Sequence, residues 1–349
     1  MADHAADGPV EKDGGQGDSS RPVTIAYIAE SAGVSVPTVS KVINGRSGVS
    51  ADTRARVEAL VNEYGYRRPA GAGRNNVVEL VFRELEHMWA VEIIRGVEQV
   101  ARRHGVGVMV SRFGLHDAEP PTWDDTVSRR PSCVLSVAQL SEAEREQLRA
   151  KGIPFVVFDP ATELPDDVPF VGATNWSGGR AATRHLTALG HRRIAMISGP
   201  QDQLYCCARL DGYRSALRSA GLPADPELLV HAPLTREDGC AAARSLLALP
   251  DRPTAVFTAN DLQALGVYQA AREAGLRIPD DLSVVGFDDL PVVGWVDPPL
   301  TTVHQPLTEM ARAATELALT LGRGEEAPQI GMEIATTLTV RASTAPPRN

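Results

Sequence analysis

From Thr24 the chain reads TIAYIAESAGVSVPTVSKVINGRSGVSADTRARVEALVNEYGY, and its apolar positions recur at helical spacing. Ile25, Ile28, Ala29 and Ala32 share one stripe, which predicts a first helix with Thr24 as N-cap and Gly33 as its left-handed stop. Ser35 can cap a second helix over Val36–Ile43, with Val39, Val42 and Ile43 turned inward. That leaves Val36, Pro37, Thr38, Ser40 and Lys41 outward, and Pro37 is acceptable because the first helical turn has no intrahelical N–H partners to lose. A third helix from near Ser50 directs Val57, Leu60, Val61 and Tyr64 toward the same small core. Two helices joined by a tight glycine turn, the second polar and basic outside, form the geometry that places a recognition helix in a DNA major groove.

The pattern changes from Val77 onward. Short apolar runs, VVELVF, VGVMVS, CVLSVA, IPFVVFD, RRIAMIS, ELLVHA, TAVFTA and LSVVGFD, alternate with helical segments. Such alternation predicts parallel sheets covered by helices on both faces. The segment is too long for one comfortable sheet, so two lobes are expected. The predicted fold class is α/β: an N-terminal all-α helix-turn-helix head, then a two-lobed sensor with doubly wound parallel sheets.

Charge sharpens the division. The chain of 349 residues carries −9 overall, yet Arg21 to Arg74 is net +4 and the remainder −13. A basic head on an acidic body fits attraction to double-stranded DNA by one end only. Residues 1–20 are polar and acidic, without the basic start and apolar core of a secretion signal, so a disordered tail and a cytoplasmic location are expected. No stretch approaches the roughly 20 apolar residues of a membrane span. Cys133, Cys206, Cys207 and Cys240 lack metal-ligand spacing and read as reduced thiols. No phosphate-cradling GxxxxGK, no HExxH and no GxSxG elbow occurs, and Gly178 and Gly179 lack a dinucleotide fingerprint, so neither an enzyme, a metal nor a cofactor is expected.

AGVS at 32–35, TVSKVIN at 38–44 and Gly65-Tyr66 give the head its identity: residues 24–66 resemble the DNA-binding head of the LacI/GalR family of repressors. The resemblance implies Val36, Pro37 and Lys41 as base-reading positions and Thr24, Thr38, Ser40 and Asn44 as phosphate contacts. Lys41 stands where the family usually has arginine, so it can donate to a guanine edge but not through a rigid fork. Tyr27 replaces the usual aspartate and receives no role. After Gly-Tyr the family forms a short helix that levers a leucine into the minor groove. Here that segment reads RRPAGAGRNNVVELVF: no leucine precedes Leu80, and Gly71 and Gly73 cost a short helix about 2 kcal/mol relative to alanine. Two readings stand: a flexible arm whose Arg67, Arg68 and Arg74 follow the DNA backbone, or a plain linker.

The body likewise resembles the periplasmic-binding-protein-like sensor of that family, through VGATNWSGGRAATRHLTALGHRRIAMISGP, ARLDGYRSAL, FTANDLQALGV, IPDDLSVVGFDD and PLTTVHQPLTEMA. The implied organisation is a head at 21–67, a hinge or linker at 68–76 and an effector-binding and dimerisation domain at 77–345. Within the last, lobe 1 spans 77–174 and 304–321, and lobe 2 spans 175–303 and 322–345. Ligands of such folds bind beyond the strand ends, between the lobes. Asp159, Asn260 and Asp288 end or follow strand runs, Arg209 matches the family arginine that forks onto ligand oxygens, and Gln305 matches its cleft glutamine. Carboxylates accept from hydroxyls and a guanidinium donates to two oxygens, a set suited to a neutral polyhydroxylated ligand. Asp261 and Asp288 could instead cap helices. Trp89 and Trp176 can cover the apolar face of a sugar or serve packing, Trp295 is a weaker candidate, Trp123 is left to packing, and His87 can touch ligand or solvent. The expected protein is a homodimeric repressor that reads a palindromic operator and is released by a mono- or oligosaccharide. A nucleobase or other metabolite acting as co-repressor is the first alternative, and a solute-binding protein of a transport system is the rival from another class.

Overall fold

The computed structural model describes residues 24–43, 48–64, 75–83, 85, 88–113, 122–327 and 329–348. Residues 1–20 and most of the 68–76 segment, with Asn44, Arg67, Arg68, Arg74 and His87, lie outside them. The chain divides into two units, one ending at Gly73 and the other beginning at Arg74.

Among the described residues the first unit holds three helices, α1 (Ile25–Ala32), α2 (Val36–Ile43) and α3 (Ala51–Glu63). Thr24 accepts a hydrogen bond from the Tyr27 N–H at 3.2 Å to start α1. Gly33, at φ 63°, ends it without the steric cost a Cβ would bring. Ser35 and Ser50 cap α2 and α3, accepting from the N–H groups of Thr38 and Thr53. Ile28, Ala29, Ala32, Val39, Val42 and Val57 form the core, with Leu60 and Val61 at its edge. Tyr64, expected in that core, is 36 % exposed and meets Tyr27 edge-on, ring centroids 5.3 Å apart. The tyrosine for which the sequence offered no role therefore joins the end of α3 to the start of α1.

The second unit contains two six-stranded sheets. The chain first lays down β1 (Asn75–Phe82), α4 (Met88–Arg103), β2 (Gly107–Arg112), α5 (Trp123–Arg129), β3 (Pro131–Ser136), α6 (Glu142–Ala150), β4 (Phe155–Phe158) and β5 (Phe170–Ala173). It continues through α7 (Asn175–Ala188), β6 (Ile194–Ser198), α8 (Leu204–Ser219), β7 (Leu229–His231), α9 (Arg236–Leu247), β8 (Ala255–Thr258), α10 (Asp261–Glu273), β9 (Ser283–Asp288) and β10 (Thr301–His304). It closes with α11 (Leu307–Gly322), β11 (Gly331–Ile334) and β12 (Thr337–Thr339). The first sheet is parallel throughout in the order β11-β5-β4-β3-β1-β2, and the second runs β12-β10-β9-β8-β6-β7 with only β12 antiparallel.

The unbroken apolar runs follow from burial on two faces. In β1, Val78, Leu80 and Phe82 enter the core under α4 and α11, whereas Val81 turns to the opposite core with Leu148 of α6. In the second sheet Ala195 and Ile197 pack with α9 and α10, while Ile194 and Met196 pack with α7 and α8.

The chain crosses between sheets at Thr174 and at Gln305-Pro306, close to the expected places. The third crossing is displaced: it falls at Ala335-Thr336, not near Leu321, so residues up to Ile334 belong to the first lobe. Gly331–Ile334 pairs in parallel with Phe170–Ala173, and a Cβ at Gly331 would stand 2.5 Å from the Phe170 ring. The linker reading also shortens at its end, because Asn75 and Asn76 already belong to β1 and are tied to Arg130 and Gly105 by hydrogen bonds.

Candidate functional site: a basic recognition face and an inter-lobe cleft

On α2, Val39 and Val42 face the core, and a rise of about 100° per residue sets Pro37, Ser40 and Lys41 opposite them. Pro37 and Lys41 are exposed, Val36 is 41 % exposed, and Thr38 turns back so that its hydroxyl meets Ser35 Oγ at 2.9 Å. This face carries a cation and small side chains, dimensions that suit close approach to base edges.

The second site begins with close helix packing. A Cβ at Gly179 would lie 2.2 Å from the Arg209 carbonyl oxygen, and one at Gly212 would lie 2.2 Å from that of Trp176. The absence of both side chains lets α7 and α8 touch backbone to backbone. That contact delivers Arg209 beside Asn175, the first residue of α7.

Arg209 is 3 % exposed, and each of its three nitrogens donates to a neutral acceptor. Nε donates to Asn175 Oδ1 at 2.9 Å, Nη1 to the Ala259 carbonyl at 2.5 Å and Nη2 to Gln305 Oε1 at 2.9 Å. Gln305 sits on a crossing segment, and its Nε2 donates to Asp159 Oδ2 at 2.9 Å. One amide thus connects an arginine of the second lobe to a carboxylate of the first. A backbone bond from Leu204 N–H to the Ala161 carbonyl, 2.8 Å, joins the lobes at the same mouth.

Asp159 and Asp288 follow or end their strands with positive φ, 44° and 112°, a conformation that costs side-chain-bearing residues energy and that surrounding structure must enforce. Burial raises the pKa of Asp159 against the opposing pull of Arg209 and Gln305. Burial likewise pushes Asp288 up to about 7, with Arg209 opposing and Asp159 adding to the rise. Asp288 Oδ1 stands 3.7 Å from Arg209 Nη1, and its side chain keeps 12 % of its surface. Its neighbour Asp289 diverges and binds Arg341 at 2.6 Å and His304 at 3.2 Å.

Other expected site residues fall elsewhere. Asn260 caps α10, accepting from Gln263 N–H at 2.9 Å, and donates to the Leu234 carbonyl at 2.9 Å. Both ends of its amide thus serve the lobe's framework. Asp261 is also framework, bound by Thr302 at 2.6 Å and Leu290 N–H at 2.8 Å. Trp89 packs on Phe82, ring centroids 5.8 Å apart, within the first lobe's core. Trp176 is 44 % exposed beside Asn175, with the Arg180 guanidinium 5.7 Å from its ring. Trp295 is 77 % exposed, and Trp123 stacks near Phe113. The pattern reading missed Asn175, Tyr205 and Phe287. Asn175 had one signal, a polar residue opening the helix at a crossing. The four cysteines are free, and among the described residues no cluster could hold a metal and no helix is long and apolar enough to cross a membrane.

A helix-turn-helix unit on one chain with a polar cleft between two parallel sheets defines the class of effector-responsive DNA-binding regulators. Residues 24–69 match the family model of bacterial regulatory proteins, lacI family, and residues 183–344 match a periplasmic binding protein-like domain. The HTH-type transcriptional regulator MalR of Streptomyces coelicolor is 36 % identical over 92 % of this chain and 96 % of its own length. A solved CelR–cellobiose complex aligns with TM-score 0.70 and 34 % identity over 92 % of this chain and 99 % of that one. The lac repressor dimer bound to operator and an anti-inducer aligns with TM-score 0.68 and 28 % identity, covering 93 % and 100 %. The chain belongs to the LacI family, whose members are DNA-binding transcriptional regulators and not enzymes.

Proposed function

We propose that this regulator is a cytoplasmic homodimeric repressor that holds a palindromic operator and releases it when a mono- or oligosaccharide enters the cleft. The observation that carries the reading is the convergence of Arg209, Asn175, Gln305, Asp159 and Asp288 from both lobes onto one place. Carboxylate and amide oxygens there accept from hydroxyls, and Trp176 offers an indole face beside them. The CelR relative binds cellobiose, and the lac repressor relative is a dimer on operator DNA, which agrees with both halves of the reading. In the head, Val36, Pro37 and Lys41 read bases while Thr24, Thr38 and Ser40 hold phosphates. Asn44 extends the phosphate set by resemblance, and Arg67 and Arg68 extend it if the segment after the head acts as a flexible arm.

A ligand shifts operator affinity only as far as it prefers one arrangement of the lobes. A sugar that replaces Gln305 on Asp159 or Arg209 exerts such a preference, because it breaks a bond that joins the lobes. The test is a thermal-shift screen of the full chain against mono- and oligosaccharides, nucleobases and sugar phosphates, followed by operator titration with each hit. A neutral saccharide that raises the melting temperature and weakens operator binding is the expected result. Stabilisation by a nucleobase that tightens operator binding would replace the saccharide with a co-repressor.

A further inference from the structure

The cleft holds two carboxylates and one guanidinium, and the guanidinium does not hydrogen-bond the nearer one. The three nitrogens of Arg209 give hydrogen bonds to Asn175, Ala259 and Gln305, whereas Asp288 waits at 3.7 Å, an ion-pair distance beyond a hydrogen bond. Asp159, in contrast, receives the Gln305 amide. Every other ionisable group acting on Asp288 is neutral or acidic: Asp159 across the cleft, Asp261 at the start of α10, and Tyr205 and Cys206 on α8, with Asp289 next in the chain. Asp289 is already paired with Arg341 at 2.6 Å and bonded to His304. The surrounding structure holds Asp288 at φ 112°, and its side chain keeps only 12 % of its surface.

We propose that Asp288 keeps its proton up to near-neutral pH while the cleft is empty and gives it to solvent when a neutral polyol donates hydroxyls to the resulting carboxylate. Effector binding therefore releases up to one proton, and acid conditions weaken the effector without changing the protein's other contacts to it. This inference rests on reading the cleft as an effector site. Burial supports the assignment by pushing the Asp288 carboxyl up to about 7.

The sign follows from linkage. The folded carboxyl keeps its proton at pH values where the unfolded one has lost it, so stability falls as pH rises from the ordinary carboxylate range to about 7 and is level above. Asp288→Asn copies the neutral acid and lacks this fall. The experiment is a set of thermal melts of wild type and Asp288→Asn across that range, each alone and with cellobiose as the probe. Wild type is expected to lose a few degrees relative to the variant between about pH 5 and about pH 8. Its cellobiose dissociation constant should be about tenfold higher at about pH 6 than at about pH 8, with no such change in the variant. Parallel stability curves for the two proteins would overturn the proposal, as would cellobiose affinity that is level or stronger in acid. Divergent curves with no cellobiose effect at any pH support the neutral acid and reject the disaccharide reading of the cleft, so the two failures are distinct.

Discussion

The guanidinium of Arg209 lies over the ring of Phe287, with Cζ 3.7 Å from the ring centroid. Phe287 precedes Asp288 in β9 and is fully buried, and Gly178 leaves it room, since a Cβ there would approach the ring to 2.7 Å. The stacking fixes the plane of a side chain that already reaches three acceptors in three directions. The arginine is therefore preorganised, and its partner Gln305 lies on a chain segment that connects the lobes.

Arg209→Lys should abolish the effector response and leave operator affinity unchanged. An ammonium has no planar fork to serve Asn175, Ala259 and Gln305 together, and it does not stack in the same way on Phe287. Arg209→Ala should in addition cost about 1–3 kcal/mol of stability, because it leaves the oxygens of Asn175, Ala259 and Gln305 without their donor. Operator titration by fluorescence anisotropy, with and without effector, checks the first, and a denaturant melt checks the second. An intact effector response in the lysine variant would remove Arg209 from the site.

Lys41→Ala should lower operator affinity by about 1–3 kcal/mol while scrambled DNA loses much less, so that discrimination collapses. Lys41 is exposed on the face of α2 opposite Val39 and Val42, and its removal leaves the three-helix core untouched. Lys41→Arg should keep or strengthen the preference, since a fork reaches the guanine edge at two points. Competition titrations with operator and scrambled duplexes decide it. Equal losses on both duplexes would make Lys41 a phosphate contact.

Much of this organisation was legible in the chain. The head announced itself because caps and stripes are local: Thr24, Gly33, Ser35 and Ser50 act within one turn of where they stand. The eight apolar runs became β1 to β4 and β6 to β9, because strands covered by helices favour long apolar stretches, and the charge that interrupts β1, Glu79, is fully buried against Arg129. The strands that escaped, FVGA, TTVH, GMEI and TLT, have three or four residues each and carry glycine or threonine, too little for a period to show. Their pairing is decided by a distant partner, as β11 is by β5. The same locality separates Asn260 from Asn175. Both open helices, and only the position of Arg209, 34 residues beyond Asn175, shows which amide faces the cleft.

His191 supplies a pH dependence opposite in sign to that of Asp288. It is 2 % exposed and joins Thr254, Ser283 and the Ala345 carbonyl, tying the C-terminal segment to the second lobe. Burial holds its pKa below the ordinary 6.5, with His185 adding to the depression and the Ala345 carbonyl opposing it. The unfolded chain then takes a proton that the folded chain refuses, so stability is lost as pH falls below about 6.5. His191→Gln should flatten that acid limb in thermal melts while lowering stability at neutral pH. An unchanged acid limb would assign it to other groups.

Gly179→Ala should break the response to effector by displacing Arg209 without altering any polar side chain. The new methyl carbon would start 2.2 Å from the Arg209 carbonyl oxygen, a backbone atom that cannot swing aside, so α7 and α8 must separate. Overpacking of this kind costs about 1–3 kcal/mol. The separation also draws Arg209 Nε away from Asn175 Oδ1, a bond of 2.9 Å that has little slack. Gly294→Ala is the control: nothing lies within 4 Å of a Cβ there and the backbone is not left-handed, so stability should hold or rise slightly. Melts of the two variants, paired with operator titrations with and without effector, separate a packing defect from a general effect of alanine. If Gly179→Ala lost stability and kept a full effector response, the close contact of α7 and α8 would be structural support alone and would not set the position of the arginine.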